Sequence, residues 1–464
     1  MHSGKFTKII ATIGPSCTDE NIIKEMILSG VNFFRFNLKH ADFDWHLKHI
    51  DKVRKVGKKT GVAVGIIVDL LGPEVVIKVN GDKELTLKKS SPISVSQSSG
   101  EVYFYPEKVT GQIKNGDVLV VDDGKIELIA DITDGKLRLV PLKDGHLLSG
   151  KGVSLKGGTV DVETLSEDEK LKINELVKIL PDFFAISFVR SSKDVISLAD
   201  YLKKSGSDSG IISKIETQMA LDDLDGIVNV SDGVMVARGD LGIEVSLEKI
   251  TFYQKKIIEK CRANFKPVIV ATQMLESMTD SNSPTRAEVS DVSNAVRDGA
   301  DAVMLSGETA VGEYPVETVK MMHRIVSFNE KVFKSLPEES IDGGRTYSIV
   351  KAAADIISSD SSVLKILVAT ETGRTARIFS SLRPEVPIIA LTQNEKTLRE
   401  LGLSYGVLPY KIKFPEQGLV NVSEISQNLK ERGILTIGEN IIIVHGSRWQ
   451  DPGNTNSLYI FGVN

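Results

Sequence analysis

The residues best suited to chemistry lie at the ends of two short apolar segments near the middle of the chain. Lys214 and Glu216 end the first segment, and Asp240 follows the second through the turn Arg238-Gly239. An extended backbone points side chains two residues apart to the same side, so Lys214 and Glu216 should face one site. Two carboxylates suit Mg²⁺ or Mn²⁺, which adds substrate oxygens and water, and the lysine suggests an anionic substrate. The same spacing also fits an ordinary surface ion pair.

Such a site needs strands that bring their carboxyl ends together. Eight apolar segments, each followed by polar residues, alternate with segments of helical pattern such as 43–60 and 247–261. Parallel strands with intervening helices collect their polar tips at one face, so the pattern predicts a (β/α)₈ barrel of the TIM type, in the α/β class. The predicted strands are Lys5–Ile13, Val31–Leu38, Val62–Leu70, Asp182–Phe188, Gly210–Lys214, Gly233–Ala237, Lys266–Ala271 and Asp301–Leu305.

Two parts of the chain break this alternation and predict further domains. Residues 73–155 are rich in Val, Lys, Ser, Gly and Asp, and turn signals such as N-G-D and T-D-G-K recur there, as in short antiparallel strands. Beyond a polar joint at 335–344, helical and strand patterns begin again. The predicted division is 1–71 and 157–334 for the barrel, 72–156 for an inserted small all-β lid domain, and 335–464 for a C-terminal α/β domain.

A turn in the predicted C-terminal domain carries many hydroxyl groups. The segment T-E-T-G-R-T at 370–375 follows the strand pattern K-I-L-V-A and precedes a helix. Backbone amides and hydroxyls at such a turn, with Arg374 beside them, form a candidate phosphate cradle. Spacing alone favours the simpler explanation, a hydroxyl-rich helix start without a ligand.

The composition excludes several classes of protein. A formal net charge of −5 and the lack of a long basic run argue against nucleic acid as a partner. No apolar run has the length of a membrane span, and the first residues lack the apolar core of a signal peptide, so we expect no membrane partner and a cytoplasmic location. The only cysteines, Cys17 and Cys261, lie far apart, which argues against disulfides and cysteine-ligated metal.

Six long motifs in a fixed order resemble those of the pyruvate kinase family over essentially the whole chain. This resemblance implies a lid domain inserted after the third barrel strand, a C-terminal effector domain and a homotetramer. It implies the glycolytic transfer of a phosphoryl group from phosphoenolpyruvate to ADP, giving pyruvate and ATP. The motifs are T-K-I-I-A-T-I-G-P-S at 7–16, I-S-K-I-E at 212–216, V-M-V-A-R-G-D-L-G-I-E at 234–244, A-T-Q-M-L-E-S-M at 271–278, P-T-R-A-E at 284–288 and L-S-G-E-T-A at 305–310.

The resemblance also implies roles for the residues at the strand tips. Glu216 and Asp240 resemble the family's ligands of the divalent metal, and the turn at Gly239 resembles the element whose backbone amides hold the substrate carboxylate. Arg35 and Lys214 resemble the cations that meet the phosphoryl group, which suits a reaction that needs positioning and positive charge.

Further roles follow from the same motifs. They concern protonation of the enolate, with a bound water as the immediate donor, and the binding of nucleotide and of a sugar-phosphate or nucleotide effector. The residues implied are Thr272, Ser306 and Glu308 near the enolate, Asn37, His40 and Lys151 on the nucleotide side, and Thr370, Thr372, Gly373, Arg374, Thr375, Arg448 and Trp449 in the effector site.

Two motifs depart from the family pattern beside the expected monovalent cation site. Lys39 replaces a serine and Leu70 a threonine, whereas Asn37 and Asp69 keep their oxygens. We therefore expect that the enzyme does not require K⁺, because the ammonium of Lys39 can reach the vacated place and pair with Asp69. The alternative is that Lys39 points to solvent and the site is impaired.

Two other functions fit parts of the pattern. A metal-dependent aldolase or lyase barrel that binds pyruvate-like acids would use the same carboxylates, but it would need no nucleotide lid. A degenerate pyruvate kinase acting as a metabolite sensor would explain the loss of the family's basic residues at Leu71 and Val76, which also affects nucleotide affinity.

Overall fold

The structure is a computed structural model of the 464-residue chain. It describes residues 5–73, 75–81, 83–122, 124–156, 160–333, 344–414, 422–446 and 455–464. No helix in these ranges is long and apolar enough to span a membrane.

The first part of the chain forms three parallel strands and two helices. These are β1 (Lys8–Thr12), α1 (Glu20–Leu28), β2 (Phe33–Asn37), α2 (Phe43–Thr60) and β3 (Gly65–Leu70). The side chain of Asp42 caps α2 by accepting from the amide of Trp45, and Gly61, at φ 69°, ends it in a left-handed conformation. The predicted helix 43–60 is therefore confirmed, whereas the three predicted strands are longer than those observed.

The inserted part is all β, as predicted. Its strands are β4 (Val76–Val79), β5 (Glu84–Leu87), β6 (Ile93–Ser94), β7 (Val102–Tyr105), β8 (Val118–Val121), β9 (Ile126–Thr133), β10 (Lys136–Pro141), β11 (Gly145–Leu148) and β12 (Lys151–Leu155). They form a seven-stranded sheet of order β6-β10-β9-β8-β12-β4-β7 and a β11-β5 pair. Alternate apolar residues of these strands pack into a core separate from that of the barrel.

The chain then returns to alternating strands and helices. In order these are α3 (Glu167–Leu176), β13 (Phe183–Ile186), α4 (Ser192–Lys204), β14 (Gly210–Ile215), α5 (Gln218–Asp222), α6 (Leu224–Val230), β15 (Gly233–Ala237), α7 (Arg238–Glu244), α8 (Ile250–Ala263), β16 (Val268–Ala271), α9 (Arg286–Asp298), β17 (Ala302–Leu305), α10 (Gly307–Ala310) and α11 (Pro315–Val332). The helix predicted over 247–261 begins later than expected, because Leu247–Lys249 forms a separate 3-10 turn before α8.

Eight strands close into a parallel barrel of order β1-β17-β16-β15-β14-β13-β3-β2. Strand alternation divides the barrel side chains between two apolar clusters, one among the outer helices and one inside the barrel. The interior cluster includes Ile10, Phe33, Phe183 and Met235, and it also includes Leu403, which belongs to the C-terminal part of the chain. Leu403 thus closes the amino-terminal end of the barrel.

The C-terminal part is a second α/β unit. Its elements are α12 (Gly344–Ser359), β18 (Val363–Ala369), α13 (Arg374–Ser381), β19 (Ile388–Thr392), α14 (Glu395–Leu401), β20 (Val407–Lys411), α15 (Val422–Glu431), β21 (Asn440–Gly446) and β22 (Thr455–Gly462). The sheet order is β20-β19-β18-β21-β22, with only β22 antiparallel to its neighbour. It contacts the amino-terminal end of the barrel, where Lys8 Nζ donates to the carbonyl of Val407 at 2.7 Å.

Candidate active site

Lys214 and Glu216 lie together at the carboxyl end of β14, as their spacing predicted. The Lys214 Nζ to Glu216 Oε1 distance is 2.9 Å, and the two side chains are only 9% and 0% exposed. A surface ion pair is therefore excluded. Glu216 Oε2 accepts a hydrogen bond from the amide of Phe188 at 2.6 Å, which fixes the carboxylate. Its Oε1 is buried and has no hydrogen bond of good geometry among the described residues, so one oxygen remains available to a ligand.

Two more charges from β2 and β3 complete a buried cluster. Arg35 contacts Asp69 with Nη2 at 2.6 Å and Nε at 2.8 Å, and Lys214 Nζ lies 3.4 Å from the same carboxylate oxygen. Ser187, at the end of β13, accepts from Lys214 Nζ at 2.7 Å and lies 3.2 Å from Asp69 Oδ1. Strand neighbours in the barrel thus deliver one residue each to the same point. Ser187 lies near the end of a predicted strand, but nothing in the sequence indicates its contact with Lys214.

Burial and charge act against each other in this cluster. Burial would raise the pKa of Asp69, but Lys214 and Arg35 beside it lower the pKa below its ordinary value. Burial raises the pKa of Glu216 to about 7, with Lys214 opposing this effect and Asp240 adding to it. Burial would lower the pKa of Lys214, but Asp69 and Glu216 raise it above its ordinary value, so the lysine is cationic. The negative charge of Glu216 is therefore not fully balanced by Lys214, and a bound divalent cation would stabilise it.

Asp240 lies in the first turn of α7 and lines the same cleft as Glu216. The start of α7 is tied to the end of β16. Arg238 donates to the carbonyl of Thr272 at 2.5 Å and to Asp291 Oδ2 at 2.6 Å. The amide of Gly239 donates to Thr272 Oγ1 at 2.8 Å. This amide, predicted to hold the substrate carboxylate, is thus engaged by the Thr272 hydroxyl. Arg238 was not predicted as a site residue, although its guanidinium group joins the carboxyl ends of β15 and β16.

Thr272 stands in a strained conformation. Its φ is 68°, in the left-handed region that β-branched residues rarely adopt, and Gln273 follows at φ 51°. The Thr272 hydroxyl donates to the carbonyl of Ala271 at 2.6 Å while accepting from Gly239. Strain of this kind persists where surrounding contacts hold it, and it is common at functional sites.

Ser306 and Glu308 lie at the carboxyl end of β17, but their environments differ. Glu308 is fully buried, and its two oxygens accept from the amides of Ser306 at 2.7 Å and Leu275 at 3.1 Å. Both oxygens of Glu308 are therefore used to hold the backbone of two loops, the one after β16 and the one after β17. Ser306 Oγ is buried and has no partner among the described residues, so its hydroxyl is the one that remains available.

The residues predicted on the nucleotide side lie around the end of β2 and in the inserted sheets. Asn37 Oδ1 accepts from the amide of Lys39 at 3.2 Å, and Lys39 and His40 are exposed. Burial, then the charges of Lys39 and Arg35, lower the pKa of His40. Lys151, on β12, pairs with Asp122 at 2.6 Å.

Leu70 was expected to cost the monovalent site an oxygen, and the structure corrects this expectation. The side chain of Leu70 packs in the cluster between the barrel and its outer helices, on the face opposite to that of Asp69. Its carbonyl oxygen accepts from Ser187 Oγ at 2.8 Å, beside Asp69. A threonine hydroxyl here would face the helices, whereas the carbonyl is present with any residue. The partners that the structure shows for Asp69 are Arg35, Lys214 and Ser187, so its pairing with Lys39 remains a prediction.

A cleft of about 430 Å³ separates the barrel tips from the inserted sheets. Glu216 and Asp240 line its floor, Lys39 lies at its edge, and Val153 and Leu155 of β12 form part of its roof. No group of three or more His, Cys, Asp or Glu in the described part of the chain could hold a metal. Two carboxylates facing an open cleft suit a cation that takes most of its ligands from substrate and water.

The turn after β18 has the geometry of a tight helix start. Gly373, at φ 79°, donates its amide to Thr370 Oγ1 at 3.0 Å, and Thr375 Oγ1 lies 2.9 Å from Thr455 Oγ1. Thr372 is exposed. The Arg374 guanidinium lies over the ring of Phe265, 5.6 Å from its centroid. Arg448 and Trp449, the other predicted effector residues, lie outside the described residues.

Comparisons with known proteins agree with this architecture. A family model described as "Pyruvate kinase, barrel domain" matches residues 4–319, and one described as "Pyruvate kinase, alpha/beta domain" matches residues 347–461. The chain is 38% identical to a pyruvate kinase of Sporosarcina psychrophila over 98% of this chain and 80% of that protein. It is 35% identical to one of Agrobacterium vitis over 99% of each.

A solved structure extends the likeness to three dimensions. The crystal structure of a pyruvate kinase from Cryptosporidium parvum covers 100% of this chain and 97% of its own, with a TM-score of 0.87 and 31% identity. The predicted family, the fold class and the assignment as a phosphotransferase are thereby confirmed, and the aldolase or lyase and sensor alternatives are not favoured. The chain belongs to the pyruvate kinase family.

Proposed function

We propose that the chain transfers the phosphoryl group of phosphoenolpyruvate to ADP at the buried cluster of Arg35, Asp69, Lys214 and Glu216. The observation that carries this proposal is the convergence of two cations and two carboxylates beneath an open cleft. Phosphoryl transfer needs little covalent help from the protein, and positioning with positive charge supplies most of the catalysis.

The chemistry has two parts. The bond between phosphorus and the enol oxygen of the substrate breaks, and a bond forms to the terminal phosphate oxygen of ADP. The enolate that remains takes a proton at its methylene carbon and becomes pyruvate. Arg35 and Lys214 balance the charge on the transferred group, and Asp69 holds both cations in place. The hydroxyls of Thr272 and Ser306 orient the water that donates the proton, with Glu308 fixing the backbone around them.

Pyruvate kinases use a divalent metal, and Glu216 and Asp240 are the residues that would hold Mg²⁺ or Mn²⁺ in this chain. The Oε1 of Glu216 fits this role, because it is paired with Lys214 but forms no hydrogen bond within the described part of the chain, and a carboxylate oxygen can take a further ligand. A divalent cation supplies charge neutralisation and orientation to the phosphoryl and carboxylate oxygens.

The nucleotide would enter between the end of β2 and the inserted sheets. Asn37 and His40 lie on one side and Lys151 on the other, so closure of the sheets over the cleft would bring them toward one ligand. We propose that K⁺ is not required, because the ammonium of Lys39 would take the place of the ion beside the oxygens of Asn37, Asp69 and the Leu70 carbonyl. A homotetramer, a sugar-phosphate or nucleotide effector at the turn 370–375, and a cytoplasmic location also remain proposals.

A coupled assay for pyruvate tests the function. The full chain is supplied with phosphoenolpyruvate, ADP and Mg²⁺, with each omitted in turn. Pyruvate should form only when all three are present. Pyruvate released without a nucleoside diphosphate would indicate a lyase or phosphatase, and no pyruvate under any condition would indicate a sensor.

A further inference from the structure

A small, partly open cavity lies at the opposite end of the barrel from the cleft, where the barrel meets the C-terminal unit. We call it the interdomain cavity and define it by Arg262, Lys266, Asp301, Arg377, Arg383 and Ser404. About 10 Å³ is open to the centre of a water-sized particle, so it holds one particle of that size. Oxyanions such as phosphate are too large for it.

The wall of this cavity carries more positive than negative charge. Four of its six defining side chains are Arg or Lys, and Asp301 is the one carboxylate among them. Asp301 is already engaged, because its oxygens accept from the amides of Val268 at 3.0 Å and Tyr405 at 2.9 Å and from Arg383 Nη1 at 3.0 Å. Asp301 therefore compensates Arg383 and has little capacity left for the other cations.

Two further cations of the wall, Arg377 and Lys266, have incomplete counter-charges. Arg377 pairs with Glu400 at 2.5 Å, but burial and the nearby charge of Asp232 raise the pKa of Glu400, which weakens that carboxylate as a counter-ion. Lys266 donates to the carbonyls of Ser231 at 2.6 Å and Asn229 at 3.3 Å and forms no ion pair within the described part of the chain. Burial lowers the pKa of Lys266, which is the effect expected of an ammonium short of negative charge.

Ser404 provides an independent sign of a ligand. Its side chain is 2% exposed, and its Oγ has no hydrogen-bond partner among the described residues. A buried hydroxyl without a partner costs about 1–3 kcal/mol, so such groups normally face an acceptor that the protein does not provide. Ser381 also lines this space, but its hydroxyl donates to the carbonyl of Ile378 at 2.8 Å and is satisfied.

We propose that the interdomain cavity binds a single monatomic anion of the halide class. The ammonium of Lys266 and the hydroxyl of Ser404 can donate to the anion, and the guanidinium groups in the wall add positive charge around it. A neutral water molecule would leave the excess positive charge of the wall unbalanced, whereas an anion balances it. Chloride is only slightly larger than water and accepts hydrogen bonds from every side.

Bound there, the anion joins the two units of the fold. Lys266 precedes β16 of the barrel, and Ser404 follows α14 of the C-terminal unit. Because an ion that binds only the folded protein stabilises it by mass action, halides should raise the unfolding temperature of the full chain relative to a bulky organic anion at equal ionic strength.

The decisive experiment is anomalous diffraction from crystals of the full chain grown in sodium bromide. A bromide peak should lie in the interdomain cavity within hydrogen-bond reach of Lys266 Nζ and Ser404 Oγ. Bromide peaks at the surface alone, with water or nothing in the cavity, would overturn the proposal.

Two serine variants test the same site in solution. Ser404→Ala removes the available hydroxyl, and Ser381→Ala removes a satisfied one from the same wall. The bromide concentration that gives a half-maximal rise in unfolding temperature should increase about tenfold in Ser404→Ala and stay within about twofold in Ser381→Ala. Equal responses of the wild type and both variants would contradict specific binding in the cavity.

Discussion

Two buried clusters of charge lie at opposite ends of the same barrel, and they differ in what their charges face. At the carboxyl end, Arg35, Asp69 and Lys214 form a buried cluster with Glu216, and Glu216 also lines a cleft of about 430 Å³. At the amino end, Asp301 and Arg383 are enclosed and bound to main-chain groups of both units. Burial of charge is costly at either end. Only the first cluster has a charged member, Glu216, that lines a space large enough for a substrate.

The difference shows how one fold keeps the residues for catalysis apart from the residues that stabilise the structure. In a TIM barrel the carboxyl-end loops supply chemistry and the amino end supplies stability. Here the amino end is also closed by Leu403 and held to the C-terminal unit by Asp301. Substitutions at the two ends should therefore separate cleanly into effects on turnover and effects on folding.

The largest effect is expected from Lys214→Met. Removing this ammonium takes away charge that is most needed as the phosphoryl group moves, so kcat should fall about 10²–10⁴-fold. Steady-state kinetics with saturating phosphoenolpyruvate and ADP measure it, and Lys193→Met, an exposed lysine on α4, is the control. Retention of more than about a tenth of the wild-type kcat would refute the assigned role of Lys214.

The second prediction concerns the amino end. Asp301→Ala leaves Arg383 buried without its counter-ion and two amides without their acceptor, so the free energy of unfolding should fall by about 3–5 kcal/mol. Denaturant unfolding followed by two probes measures this loss. Under native conditions the kcat of the folded fraction should stay within about threefold of wild type. A loss of kcat comparable to that of Lys214→Met would mean that the two ends are not separable.

The third prediction returns to the carboxyl end and concerns metal. Glu216→Gln and Asp240→Asn should each raise the Mg²⁺ concentration for half-maximal activity at least about tenfold, because a neutral amide is a much weaker ligand for a hard cation. Mg²⁺ titrations of activity test this, with Glu276→Gln as a matched acidic control. A titration curve that coincides with that of the wild type would remove the substituted residue as a ligand.

The smallest effect is expected from exchanging the monovalent cation. The wild-type rate in K⁺, Na⁺ and tetramethylammonium at equal ionic strength should agree within about twofold, because a tethered ammonium needs no binding equilibrium. Lys39→Ser should then create a K⁺ dependence, whereas Leu70→Thr should not, since that side chain faces the outer helices. A strong rise of the wild-type rate specific to K⁺ would end the tethered-ammonium proposal.

Much of the fold was predictable because the local signals agreed. Apolar strands with polar tips, the capping residue Asp42 and the terminating Gly61 all point to alternating strands and helices. The ends of the strands were predicted less accurately. The first strand was predicted as Lys5–Ile13, and Lys8–Thr12 is observed. The start of α8 was missed because the apolar spacing of a 3-10 turn resembles that of the helix it precedes.

The candidate site was predictable only in part. Lys214 and Glu216 were placed correctly from strand alternation, a rule that needs no tertiary information. Ser187 carried no signal, because a serine at a strand end is common and its contact with Lys214 depends on barrel closure. Leu70 was misjudged because a change of residue type is visible in a sequence, whereas a retained backbone oxygen is not.

The sequence by itself determined which charges exist, which strand carries each of them and on which face of that strand they lie. Only the tertiary structure decided that Arg35, Asp69, Ser187 and Glu216, from four strands, meet around Lys214, and that Leu403 closes the other end of the barrel. The physical reason is that alternation is a local property of the backbone. Convergence depends on closing a ring of eight strands over several hundred residues of chain, and no local pattern records that closure.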